Sequence, residues 1–61
     1  MDFGFLVTHG YQILKGYIND CKNEDEARLK ILNGEYDDII DEYETDELTV
    51  GYEIIELWEI Q

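Results

Sequence analysis

Apolar and polar positions divide the chain into four stretches. Residues 3–8 (Phe-Gly-Phe-Leu-Val-Thr) and 11–18 (Tyr-Gln-Ile-Leu-Lys-Gly-Tyr-Ile) are rich in aromatic and branched side chains and read as strands. His9-Gly10 lies between them as a two-residue hairpin turn, with Gly10 accepting a positive φ. That turn pairs Val7 with Gln12, Phe5 with Leu14 and Phe3 with Gly16. Phe3, Phe5, Val7, Leu14 and Ile18 then share one face, and Leu6, Tyr11, Ile13 and Tyr17 the other. Both faces are apolar, so one can be covered while the other binds.

A helix is predicted next. Asn23 can cap it, and Glu26 can return the bond as a capping box. Glu24, Asp25 and Glu26 suit the positive end of its dipole, and Arg28 and Lys30 suit the other end. Ala27, Ile31 and Leu32 form its buried stripe, and Asn33-Gly34 stops it. At about ten residues it is too short to stand alone and must pack on the sheet.

Residues 36–44 fit two templates. Tyr36, Ile39, Ile40 and Tyr43 have helical spacing, but they also fit an irregular strand between turn-like flanks, and the extended reading is preferred. Residues 49–60 favour a strand by composition. There Glu53, Glu56 and Glu59 recur every three residues, which a strand accommodates with a bulge near Ile54-Ile55; a short terminal helix is the alternative. The expected fold is one α+β domain over residues 1–61. A small antiparallel sheet, made of the N-terminal hairpin and one or two acidic C-terminal strands, packs on one short helix.

In outline the chain resembles small acidic proteins common in phages and mobile elements. Three stretches carry the resemblance: Asn23-Glu24-Asp25-Glu26-Ala27, Asn33-Gly34-Glu35 and Ile39-Ile40-Asp41-Glu42. The resemblance implies a β-β-α-β layout and a phage source, and it transfers no catalytic residue. Phages encode small acidic inhibitors of host nucleic-acid enzymes, and some of these imitate DNA.

Size narrows the options. A chain of 61 residues buries only about 60% of its unfolded surface and usually needs extra support. Cys21 is the only cysteine and His9 the only histidine, which leaves no internal disulfide and no Cys/His zinc cluster. Packed aromatics or a homodimer remain as supports. The apolar fraction of 44% argues for a folded domain rather than a disordered acidic chain. The N-terminus reads as lacking a secretory signal, no apolar run has membrane-spanning length, and the lone thiol suits a reducing cytoplasm.

Charge changes the picture most. All four bases, Lys15, Lys22, Arg28 and Lys30, lie in the first half. Residues 31–61 carry only acids: Glu35, Asp37, Asp38, Asp41, Glu42, Glu44, Asp46, Glu47, Glu53, Glu56 and Glu59. Such a field repels itself and costs stability, and a positively charged partner is the simplest use for it. The net charge of −12 opposes direct contact with nucleic acid or anionic lipid. Alternate strand residues lie about 6.8 Å apart, close to the phosphate spacing of one DNA strand. Glu42 and Glu44, extended by Asp46, can form such a row. On the helical alternative Asp38, Asp41 and Glu42 cluster instead.

The expected function is therefore a non-enzymatic inhibitor that occupies the basic surface of a nucleic-acid-binding protein. Its partner-binding residues are Asp37, Asp38, Asp41, Glu42, Tyr43, Glu44, Asp46 and Glu47. The alternative is a protein-interaction or assembly module that binds through the apolar hairpin face or an edge strand, with a homodimer among its forms. A purely solubilising acidic face is the blandest account. Tyr43 divides evenly between core and interface, and Trp58 reads as core. No calcium-loop pattern occurs, so no metal or cofactor is expected. His9 reads as a turn residue and Cys21 as a half-buried loop thiol. The chain has no serine and no Gly-rich phosphate loop, and so small a domain encloses a catalytic pocket poorly.

Overall fold

The structure, a computed structural model, describes all 61 residues. Strand β1 spans Asp2–Ile18, helix α1 spans Glu24–Leu32 and strand β2 spans Asp38–Ile60. β1 pairs antiparallel with β2 in one sheet, from Asp2↔Ile60 at one end to Tyr17↔Asp38 at the other. The expected α+β class, a small antiparallel sheet with one short helix, is what the chain adopts.

Neither strand is straight. A 17-residue strand would extend roughly 55 Å, yet the longest dimension of the molecule is 34 Å. The two ends of β1 also meet. Cys21 N–H donates to the Met1 carbonyl at 2.8 Å, Met1 N donates to the Cys21 carbonyl at 2.7 Å, and Asp20 N–H donates to Asp2 Oδ1 at 3.1 Å. β1 therefore doubles back, and the reversal falls at Gly10, where φ is +60° and the β2 register jumps on both sides.

The hydrogen bonds agree with a doubled strand. Helix and strands hold 31 backbone bonds. A nine-residue helix accounts for about five, and the β1–β2 partner positions for about one each. The surplus is of the size that pairing between the two arms of β1 would supply. The arms are joined by hydrogen bonds where their ends meet, through Met1 and Cys21. What the sequence does not indicate is that each arm also pairs with a different half of β2.

The face assignment follows. Phe3, Phe5, Val7, Leu14 and Ile18 are all buried, together with Cys21, Ala27 and Ile31. Tyr36, Ile39, Tyr52, Ile54 and Leu57 pack around them. Gly16 sits at a crowded point within the sheet: a Cβ there would collide with the Asp38 carbonyl and lie 2.8 Å from Phe5 Cζ.

β2 is longer than β1 because it bulges. Register shifts place Ile55, Val50-Gly51, residues 45–48 and Ile40 out of step with β1. The first is the bulge expected near Ile54-Ile55, and residues 36–44 follow the preferred extended reading from Asp38 onward. Each bulge leaves an apolar side chain in water: Ile40, Leu48, Val50 and Ile55 are exposed, Val50 to 92%.

The helix obeys its local signals. Glu26 N–H donates to Asn23 Oδ1 at 2.8 Å. The Glu26 carboxylate, however, accepts from Lys22 N–H at 3.4 Å, one residue earlier than a capping box places it. The end is a Schellman motif: Gly34 N–H donates to Ile31 O and Glu35 N–H to Lys30 O, with Gly34 at φ +75°. Ala27 and Ile31 are buried, whereas Leu32 faces water, one position beyond the stripe that meets the sheet. Replacing Asn23 with Ala should cost about 1 kcal/mol, read as a lower urea midpoint with an unchanged slope.

Candidate functional site

The acidic segment begins where α1 ends and runs along the first half of β2. Asp37, Asp38, Asp41, Glu42, Glu44, Asp46 and Glu47 are exposed, as is Tyr43. Only two ion pairs form in the molecule, Glu24–Arg28 at 3.8 Å and Glu26–Lys30 at 3.5 Å, and both lie on α1. No carboxylate between residues 31 and 61 has a basic group within 4.0 Å. The field of this half is therefore uncompensated from within.

Pleating sorts these acids onto two faces. Glu42 lies opposite buried Leu14, and Glu44 opposite Gln12, so both project on the helix side. Asp38, Asp41 and Tyr43 lie opposite Tyr17, Lys15 and Ile13, on the face the helix leaves open. Tyr43 O–H donates to Asp41 Oδ2 at 2.9 Å, which holds the phenol well in its protonated form and pushes its pKa up.

Two expected site residues stand apart. Asp37 precedes β2, and its Oδ2 accepts from Asn19 N–H at 2.7 Å, which spends it partly on the turn between β1 and α1. Asp46 does not extend the Glu42/Glu44 row, because residues 45–48 leave the register opposite Tyr11. It lines, with Tyr11, Gln12, Glu44 and Thr45, a shallow open concavity of about 440 Å³. Glu47 N–H donates to Thr45 Oγ1 at 3.3 Å inside that excursion.

The open face carries more than acids. Leu6 and Ile13 are half-buried at its centre, with Tyr17, Tyr43, Trp58 and Ile60 exposed around them. Trp58 lies on Gly4, its cross-strand partner, where any side chain on residue 4 would occupy the indole. Trp58 is thus no core residue: it is 37% exposed and belongs to the surface the sequence assigns to binding through Leu6, Tyr11, Ile13 and Tyr17. The signal for it was the glycine opposite, but that pairing is visible only once the register of β2 is known.

The remaining polar groups serve the fold. The His9 ring stacks on Tyr52 with centroids 4.1 Å apart, and Nδ1 donates to the Gly51 carbonyl at 2.7 Å, pinning the Val50 bulge to the β1 reversal. Cys21 is fully buried rather than half-buried, and burial pushes its thiol pKa up, which keeps it protonated and inert. No three His, Cys, Asp or Glu side chains converge as metal ligands, and no helix is long and apolar enough to cross a membrane.

Tyr36 contacts Phe5 and Tyr52, and its pKa is pushed up to about 12 by the Tyr52 hydroxyl first and by burial second. A raised acid loses its proton in the unfolded chain first. Its contribution is complete below about pH 10 and is lost as pH rises toward about 12. Alkaline denaturation should steepen in that window, and Tyr36→Phe should flatten it.

No protein-family model, no curated protein and no solved structure matches this chain.

Proposed function

We propose that the chain is a non-enzymatic inhibitor whose acidic strand competes with nucleic acid for the basic surface of another protein. One observation carries this reading: no carboxylate of residues 31–61 forms an ion pair, and those of residues 38–47 lie together along the first half of β2. Bases within reach would have relieved that repulsion, and β1 supplies only Lys15 opposite Asp41. The mechanism is steric and electrostatic competition, with fast, salt-sensitive association. In the phage setting that the resemblance implies, the target is a host enzyme acting on nucleic acid in the cytoplasm.

Replacing Asp41, Glu42 and Glu44 with Asn, Gln and Gln should weaken binding and reduce its salt dependence. The target itself comes from affinity capture at low and moderate salt with mass identification, followed by competition against its nucleic acid. Salt-independent binding that survives the three substitutions would refute the proposal. The second reading, a protein-interaction module, is favoured by the apolar centre of the open face. It predicts that changes at Leu6, Tyr11, Ile13 or Tyr17 outweigh those at the acids.

A further inference from the structure

We infer that the docking surface is the open face of the sheet, and that its occupant is an amphipathic basic segment of a partner protein, with apolar anchors flanked by Lys or Arg. This rests on the reading of the chain as an acidic competitor, and it names which of the two acidic faces is used. Cross-strand partnership places Asp2, Asp38, Asp41, Glu53 and Glu56 on this face, with Lys15 the one base among them. At its centre lie Leu6 and Ile13, with Tyr43 and Trp58 exposed beside them. Exposed apolar patches rimmed by polar groups mark interaction sites, and interface anchors are enriched in Tyr and Trp.

The charge selects the occupant. A second copy of the chain would bring the same five acids against these five, so self-association through this face is opposed by like charge. Nucleic acid is opposed for the same reason. A purely basic, polar surface would satisfy the rim and leave the aromatic centre in water. Only a segment with apolar anchors and flanking bases matches both. The helix side offers no equivalent, because Glu42 and Glu44 there adjoin buried Leu14 and polar Gln12 rather than an exposed apolar centre.

Trp58 is the only tryptophan and lies on this face, so it reports occupancy directly. The test titrates the full chain with a synthetic helical Leu/Lys amphipathic peptide and with an oligolysine of equal charge, following Trp58 emission. Asp38→Asn/Asp41→Asn and Glu42→Gln/Glu44→Gln remove equal charge from the two faces. Circular dichroism checks that each variant is folded. The amphipathic peptide should bind at least about tenfold more tightly than oligolysine and shift Trp58 emission to the blue. The open-face pair should weaken it about tenfold, and the helix-side pair less than about threefold. Ile13→Thr should weaken the peptide and leave oligolysine unaffected.

Equal binding of both probes, unmoved Trp58 emission or equal losses from the two pairs would overturn the docking inference while leaving the acidic-competitor reading intact. Failure of both probes to bind at low salt would remove both readings. Concentration-dependent dimers in sedimentation, with Trp58 emission already blue-shifted, would assign the face to a second copy instead.

Discussion

Phe5→Ala is expected to leave much of the chain unfolded at 25 °C. Phe5 is 0% exposed and is the largest of the fully buried side chains. It touches the Tyr36 ring at a centroid distance of 5.2 Å and reaches across to Gly16. Its truncation removes the contact between the two arms of β1 and the segment after the helix together. Deleting a buried Phe costs about 3–5 kcal/mol. A domain of this length has about 3–9 kcal/mol in total, and only eight residues form its buried apolar core. No second core can take up the loss. Urea denaturation followed by Trp58 emission and far-ultraviolet circular dichroism would show it, as a missing or sharply shifted native baseline.

Gly16→Ala should be at least as damaging, for the opposite reason. The added Cβ meets a backbone atom, the Asp38 carbonyl oxygen, as well as Phe5 Cζ and Ile39 Cδ1. Side chains can rotate away, but the carbonyl belongs to the β1–β2 ladder. The strands must part at the end where β2 begins. Overpacking usually costs about 1–3 kcal/mol, and loss of local pairing adds to it. The distinguishing measurement is a double variant. Trimming Ile39 to Ala in the Gly16→Ala background should not restore stability, because the backbone collision remains. Restoration would show that the clash is between side chains alone.

How much of this was legible in the sequence depends on whether the signal is local. The helix was, because Asn23, Ala27, Ile31 and Asn33-Gly34 act within a few residues of one another. The reversal at His9-Gly10 was too, since Gly10 carries its own positive φ. The Ile55 bulge followed from the three-residue spacing of Glu53, Glu56 and Glu59. The pairing of β2 with both arms of β1 was not legible, because register over so long a separation is chosen by the packed core and not by neighbours in sequence.

The site shows the same division. That the acids are exposed could be read from composition. Which acids share a face could not, because the one-residue bulges at Ile40 and Ile55 each reverse the alternation beyond them. A strict two-residue count from Glu42 through Glu44 carries Asp46 into the row, and the excursion of residues 45–48 removes it. Trp58 was misread by size: a large indole suggests core, but Gly4 gives it a seat on the outside of the sheet.

The pairing of β1 with β2 also governs how the molecule assembles itself. Its nearest partners in sequence are Tyr17 and Asp38, and its farthest are Asp2 and Ile60, almost the full length of the chain. Such non-local topology places this protein among slow folders for its size. The reversal of β1 and the capped helix, which close only short loops, are expected to form early. The acidic strand is expected to join last, threaded along both arms against its own repulsion. Moderate salt should therefore speed folding more than it slows unfolding.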